Sequence, residues 1–245
     1  MNAAEVIAAL ELPSAARLDR RVPKKLLVEN GTPTSSDKRR INEGVEELVW
    51  VAALKPATVG VPAYRDDERD YLEIAVLSLV LREAAKRVRL VELVHRAIPY
   101  PVLLLTAHLN AIALSVAHKR HAQNEAGKVV LDESVVEAAL PRGVSLSTLA
   151  MLRVATQPKT NLLAFYQGWL ECVEAIQAGQ ISGHFGLARD AGARRAALAE
   201  HARLTREIVA LRSQAAGESQ VSRRVELNLA VRRLEAELAE AMSHL

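Results

Sequence analysis

Two segments near the middle of the chain are apolar at both alternating sets of positions, which predicts buried strands. Tyr71 to Leu81 and Pro101 to Ala107 both show this pattern. A strand that is apolar on both faces is covered by other elements on both sides. Between them, Glu83 to Ile98 carries apolar residues at helical spacing, and Pro99 then prevents the helix from continuing. The pattern therefore predicts a strand, a crossing helix and a second strand at the centre of the fold.

Weaker patterns on either side predict further strands. Leu48 to Leu54 is rich in β-forming residues, Ala111 to Ala117 alternates after the turn residue Asn110, and Lys128 to Leu131 predicts a short edge strand. Strands that follow one another and enclose a helix are typical of an α+β fold. The sequence thus predicts a mixed, mainly antiparallel sheet of about five strands with helices packed on it.

The rest of the chain is predicted to be mostly helical. Strand patterns disappear from Val135 onwards, and Asn161 to Ala178 is the clearest helix, with an aromatic cluster at helical spacing that predicts a buried core. A glycine-rich stretch from Gly179 to Gly186 then marks a linker. We therefore expect an α+β core domain over residues 1–180 and a helical hairpin or coiled-coil tail over residues 181–245.

Apolar residues in the tail form two coiled-coil seams, each stepping by alternating intervals of four and three residues. The two registers are out of phase, and Gly217 lies at the break. Either the two helices fold back as an antiparallel hairpin, or one long helix carries a discontinuity; glycine inside a helix costs about 1 kcal/mol, which favours the hairpin. In both cases the seams need a partner, from the same chain or from another subunit. The predicted partner-binding positions are Leu204, Ile208, Leu211, Leu227, Val231, Leu234 and Leu238.

Composition limits the classes of function. Half of the 245 residues are apolar, and the 3% of aromatic residues leave few rings for stacking single-stranded bases. The single cysteine, Cys172, excludes an intrachain disulfide and a cysteine-ligated zinc, and its apolar neighbours predict a buried thiol. The first residues have no basic start, and no apolar run approaches the roughly 20 residues of a membrane span. We therefore expect a protein of the cytoplasm with no membrane partner.

Candidate catalytic chemistry is sparse. Asp66, Asp67, Asp70 and Glu73 precede a central strand, and together with Lys119 they predict, as the alternative function, a divergent metal-dependent nuclease. No lysine follows Glu73 by two positions, as the restriction-type site requires. The histidines lack the spacing of a helical zinc site, and neither a phosphate-binding loop nor a nucleophile elbow is present. The main prediction is therefore no catalytic residue, no metal and no cofactor.

Basic residues gather in two stretches. Between Arg17 and Arg40 there are eight basic and three acidic residues, and a second group surrounds Lys119. If the two stretches converge in space, they would hold nucleic-acid phosphates, and binding would weaken as salt rises. The alternative is that they are solvated faces or salt-bridge donors to the acidic loop. The candidate nucleic-acid-binding residues are Arg20, Arg21, Lys24, Lys25, Lys38, Arg39, Arg40, Lys119, Arg120 and Lys128.

Several short motifs resemble one protein family. They are Val22–Leu26, Leu54–Pro56, Tyr71–Ile74, Ala97–Pro101, Ala117–Arg120 and Val225–Asn228, and they extend over nearly the whole chain. Together they resemble the bacterial domain-of-unknown-function family numbered 4391, whose members are often encoded beside a helicase-type ATPase and a DNA methyltransferase. The resemblance implies a non-enzymatic accessory or adaptor subunit of a DNA-processing or phage-defence (restriction-like) module, which acts with such an ATPase or methyltransferase. It assigns no catalytic residue to this chain.

Overall fold

The structure, a computed structural model, describes residues 2–31, 34–123, 125, 128–141, 143–187, 190–243 and 245. The chain divides into two compact units, Met1–Val173 and Glu174–Leu245. Strands occur only in the first unit among the described residues, and the second unit is built from helices. The division falls inside one long helix, Leu162–Ser182.

Helices and strands are interspersed along the first unit. The described α-helices are α1 (Ala3–Ala9), α2 (Lys24–Gly31), α3 (Ser35–Gly44), α4 (Pro56–Val59), α5 (Arg87–Ala97), α6 (Leu146–Ala150), α7 (Leu162–Ser182), α8 (Ala191–Gly217) and α9 (Val221–Ser243). The described strands are β1 (Arg17–Arg21), β2 (Val45–Leu54), β3 (Tyr64–Arg65), β4 (Asp70–Tyr71), β5 (Ile74–Leu81), β6 (Val102–His108), β7 (Ala111–Val116), β8 (Lys119–His121), β9 (Val129–Leu131) and β10 (Val136–Leu140).

Six strands form the main sheet, in the order β1-β2-β5-β6-β7-β10. All neighbours are antiparallel except β5 and β6, which are parallel. Parallel neighbours need a crossover connection, and α5 supplies it. The predicted α+β fold, with a mixed and mainly antiparallel sheet followed by helices, is confirmed.

The helix α5 covers one face of the sheet. Its buried residues Leu90, Leu93 and Val94 share one core cluster with Leu77 and Leu104 from the two parallel strands. Each fully buried leucine stabilises the fold by about 1.5–3 kcal/mol. The backbone becomes extended immediately after α5, as the prolines of the corner require.

The aromatic residues of α7 form a second part of the core. Phe165, Tyr166 and Trp169 are fully buried. The Tyr166 hydroxyl accepts a hydrogen bond from the backbone N–H of Ala117 (2.8 Å) and donates to the carbonyl oxygen of Val102 (2.8 Å). The predicted aromatic core is therefore confirmed, and it ties α7 to the start of β6 and to the residue that follows β7.

The prediction that the chain becomes helical from Val135 onwards is wrong for one segment. Val136–Leu140 is the strand β10 and pairs with β7 over its full length. Its glutamate and alanines have little β propensity of their own, so the hydrogen bonds offered by the edge of β7 decide the conformation. The strand predicted at Lys128–Leu131 is present as β9, but it pairs with β8 in a separate two-stranded sheet.

The helices α8 and α9 pack against each other as a hairpin, joined by three residues after Gly217. The seam residues Leu204, Ile208, Leu227 and Val231 are buried, and the other predicted seam positions are partly buried. The partner that each seam requires is therefore supplied within the chain. Whether a second protein also binds to the seven predicted positions stays a prediction. Although both helices are long, no described helix is long and apolar enough to cross a membrane.

Candidate functional site

The first predicted basic stretch begins in the edge strand β1. All five of its residues are exposed, including Arg20 and Arg21. The pairing with β2 is interrupted between Arg17 and Arg20, where Asp19 adopts a positive φ of 47°. Charged residues and a bulge on an edge strand prevent another chain from adding to the sheet. The same exposure leaves both arginine side chains accessible to a ligand.

Lys24, the first residue of α2, contacts the last turn of α3. Its Nζ donates to the carbonyl oxygen of Asn42 (3.1 Å), and an Arg82 guanidinium N–H donates to the same oxygen (3.1 Å). These cations satisfy carbonyl groups that a helix leaves unpaired at its C-terminus. Partial burial, followed by the charges of Arg82 and Arg21, lowers the pKa of Lys24. Lys24, Arg82 and Arg21 therefore lie close together. Arg82 is absent from the predicted basic residues, because no sequence pattern distinguishes an arginine that follows a buried strand.

The helix α3 carries both exposed and engaged cations. Lys38 lies one helical turn before Asn42, and both Lys38 and Arg39 are exposed. Arg40 forms an ion pair with the buried carboxylate of Asp37 (2.9 Å). A hydrogen bond from Arg89 lowers the pKa of Asp37 well below its usual range. Asp37 therefore links α3 to α5, and Arg40 is held at that link.

Apart from Lys24, which donates to a backbone carbonyl, four cations of this stretch make no ion pair with any described residue. We name Arg20, Arg21, Lys38 and Arg39 the basic surface. Lys25 also faces solvent but forms an ion pair with Glu29 (3.5 Å). The basic surface is thus smaller than the predicted stretch, because the remaining cations form ion pairs or hydrogen bonds within the chain.

The second basic stretch is mostly engaged. Arg120 pairs with Asp132 (3.2 Å), and Lys128 pairs with Glu125 (2.9 Å). Lys128 also lines a groove of about 720 Å³ together with the C-terminal residues of α2 and α5 and the strand β9. The two predicted stretches meet at this groove, to which the first stretch contributes Glu29, Asn30 and Gly31.

Lys119 does not lie on the surface. It is 3% exposed, and its Nζ donates to the carbonyl oxygens of His95 and Ile98 at the end of α5. Burial lowers the pKa of Lys119 to about 7. Its side chain therefore fixes the corner after α5 and is not available to a phosphate or to a nuclease site.

His95 lies beside this lysine and is completely buried. Its Nε2 is hydrogen-bonded to the hydroxyl of Ser115 (3.0 Å). Burial, with a smaller effect from the charge of Lys119, lowers the pKa of His95 to about 3. The imidazole is therefore neutral at physiological pH, and its surroundings give it no access to a substrate.

A chain of hydrogen bonds joins β4, the residue before β8 and α7. The Tyr71 hydroxyl donates to Nδ1 of His118 (2.5 Å), and Nε2 of His118 donates to Oε1 of Gln167 (2.9 Å). Burial lowers the pKa of His118, which fits a neutral ring with one donor and one acceptor nitrogen. Since both ring nitrogens are occupied, this histidine is a structural link.

The acidic residues predicted as nuclease candidates do not converge. Asp66 accepts hydrogen bonds from the backbone N–H groups of its own loop, Asp70 pairs with Arg65 (2.6 Å) and Glu73 pairs with Lys55 (3.0 Å). Within the described part of the chain, no group of three metal-ligating side chains could hold an ion. The contacts of these carboxylates are those of a stabilised loop.

Comparison with known proteins identifies the family. A family model described as "Domain of unknown function (DUF4391)" matches residues 10–238 of the 245-residue chain. No curated protein and no solved structure matches the chain. The match covers both compact units almost completely. The chain therefore belongs to the DUF4391 family.

Proposed function

We propose that this protein is a non-enzymatic accessory subunit that holds nucleic acid by its phosphate backbone within a DNA-processing or phage-defence module. The basic surface carries this proposal, because Arg20, Arg21, Lys38 and Arg39 are exposed and have no ion-pair partner among the described residues. Unpaired surface cations displace the counterions of a phosphate backbone, which favours binding without reading base sequence.

The position of these cations supports a contact with an extended polyanion. Lys24, the first residue of α2, lies close to Arg21 at the end of β1, and its Nζ donates to the carbonyl oxygen of Asn42 in the last turn of α3. It therefore lies near both of the elements that carry the basic surface. The net charge of the whole chain is only +3. A local concentration of cations, rather than the overall charge, would therefore attract the nucleic acid.

Fluorescence anisotropy with a labelled DNA duplex tests the nucleic-acid contact. In the test variant, Arg20, Arg21, Lys38 and Arg39 are all changed to glutamine. A matched control changes four exposed arginines of α8 and α9 in the same way, so that both variants lose the same charge; these are Arg206, Arg224, Arg232 and Arg233. We expect the test variant to bind at least about tenfold more weakly and the control to bind like the wild type. Equal weakening in both variants would mean that only net charge matters and would contradict the proposal.

The module is the second part of the proposal. We infer that the protein acts with a helicase-type ATPase or a DNA methyltransferase, because members of the family that it belongs to are often encoded beside such enzymes. Co-expression with the products of neighbouring genes, followed by size-exclusion chromatography, tests this part. Co-elution in one complex is the expected result, and separate elution of all the proteins would contradict it.

The nuclease alternative has no comparable support, because its carboxylates pair with cations at separate places. The binding assay also tests it if magnesium or manganese is added and the DNA is analysed on a gel. We expect intact DNA. Cleavage that disappears in Glu73→Ala would overturn the non-enzymatic assignment.

A further inference from the structure

The helix α9 carries an apolar stripe that the hairpin does not use. Val221, Val225 and Leu229 follow one another at intervals of four residues and are 63%, 51% and 51% exposed. Residues spaced by four lie on the same face of a helix. The first half of α9 therefore presents a continuous apolar ridge to solvent.

This stripe lies on the opposite side of α9 from the face that packs within the hairpin. Leu227 and Val231 are buried, and they mark the packed face. At 3.6 residues per turn, Val225 and Leu229 each lie roughly 160° around the helix from Leu227. The packing of α8 against α9 therefore leaves the stripe uncovered.

Unpaired cations accompany the stripe. Arg224, Arg232 and Arg233 are exposed and make no ion pair with any residue that the structure describes. By contrast, the neighbouring Arg223 is neutralised by Glu226 on the same helix (2.7 Å). An apolar ridge with unpaired arginines beside it is complementary to a helix that presents apolar residues between carboxylates.

We propose that this stripe docks an acidic amphipathic helix of a partner protein. The apolar residues of the partner would pack on Val221, Val225 and Leu229, and its carboxylates would pair with the three arginines. A second copy of α9 fits less well, because it would add the same unpaired arginines to the interface and double the positive charge there. The inference rests on the adaptor role proposed above and specifies the chemistry of the partner.

A designed peptide serves as the probe. It is a fluorescent peptide of four heptads, with leucine at the a and d positions and glutamate at the e and g positions, and its mirror carries lysine at e and g. Anisotropy is measured with the full-length protein at moderate salt. We expect the acidic peptide to bind and the basic peptide to bind at least about tenfold more weakly.

Two variants test the two components of the surface. The double variant Val225→Gln, Leu229→Gln removes the ridge and is expected to weaken binding of the acidic peptide about tenfold. The matched control is Val209→Gln, because Val209 is a 60% exposed valine of α8, and this variant is expected to bind the peptide like the wild type. Changing the three arginines to glutamate is expected to reverse the preference in favour of the basic peptide. Circular dichroism confirms that each variant is folded.

Several results would overturn the inference. One is that the acidic peptide does not bind the wild type. Another is that binding survives in the Val225→Gln, Leu229→Gln variant but disappears in the glutamine variant of the basic surface, which would place the peptide on the first unit. A third is a concentration-dependent dimer in sedimentation that the same stripe variant abolishes, which would identify the occupant as a second copy. If the wild type binds the acidic peptide but does not bind DNA, the nucleic-acid proposal is refuted and this inference stands.

Discussion

Replacing Lys119 by methionine tests whether the buried lysine holds the end of α5, because methionine keeps the apolar stem and removes the donor. The side chain is 3% exposed, and its Nζ donates to the carbonyl oxygens of His95 and Ile98. A buried acceptor that loses its donor costs about 1–3 kcal/mol, so two of them cost about 2–6 kcal/mol. Methionine also removes the cost of burying a charged ammonium group. At a pH at which the lysine is protonated, this favourable change in stability offsets part of the cost of the two unpaired carbonyl groups.

The offset makes the effect depend on pH. Burial lowers the pKa of Lys119 from 10.5 to about 7 in the folded protein. Below pH 7 the lysine is charged in both the folded and unfolded states, so the cost of burying the charge is fully present. Between pH 7 and 10.5 the unfolded chain retains a proton that the folded protein has lost, so the stability of the wild type rises by up to about 1.4 kcal/mol per pH unit. Methionine does not titrate, and the destabilisation caused by Lys119→Met should therefore grow with pH.

Urea unfolding at one-unit steps from pH 6 to pH 9 measures this difference. The fluorescence of Trp50 and Trp169 reports on the first unit, which contains both. Lys38→Met, at an exposed position of α3, is the control and is expected to change stability by less than about 0.5 kcal/mol at every pH. If the curves of wild type and Lys119→Met run parallel across this range, the assignment of the titration to Lys119 is wrong.

Three further substitutions test other features of the fold by denaturant or thermal unfolding. A Cβ at Gly31 would lie 2.8 Å from atoms of α5, so Gly31→Ala is expected to destabilise the protein by about 1–3 kcal/mol. Gly217→Ala is the control and should be neutral or stabilising, because a Cβ there has nothing within 4 Å. Equal unfolding midpoints for the two variants would count against the close packing of Gly31 on α5. Leu109 has a φ of 50° in the turn between β6 and β7, a left-handed conformation that asparagine adopts more easily than leucine. Leu109→Asn should therefore raise stability by about 0.5–1 kcal/mol. An unchanged unfolding midpoint would show that Leu109 does not strain the turn. Arg89 holds the pKa of Asp37 below the ordinary value of 3.8. The ionised Asp37 therefore stabilises the folded protein fully above pH 3.8, and this stabilisation is lost as the carboxylate becomes protonated at lower pH. The stability of Asp37→Asn should therefore converge with that of the wild type in acid.

The sequence predicts those elements whose own residues determine their environment. The strands β5 and β6 are apolar on both faces, and the prolines after α5 force an extended corner, so local patterns suffice. The strand β10 has no such pattern. Its conformation is determined by hydrogen bonds to β7, which lies about 20 residues earlier in the chain, so its local sequence does not predict it. Lys119 stands in a run of basic and histidine residues that is typical of a surface, and only the folded topology places it beneath the end of α5. In the tail, the sequence predicts the seams but leaves open which partner covers them.

The salt dependence of nucleic-acid binding tests how the structure divides the predicted cations. The sequence predicts ten nucleic-acid-binding cations. Each contact between a cation and a phosphate of duplex DNA contributes about −0.9 to the slope of log affinity against log salt concentration. Ten such contacts therefore predict a slope close to −9. The structure engages six of the ten: Lys119 is buried, Lys24 donates to a helix terminus, and Lys25, Arg40, Arg120 and Lys128 form ion pairs. The four residues of the basic surface predict a slope close to −4, which should approach zero when all four are changed to glutamine. A slope near −7 would mean that the four ion pairs also open on binding, so that the nucleic acid competes with Glu29, Asp37, Glu125 and Asp132 for their partners.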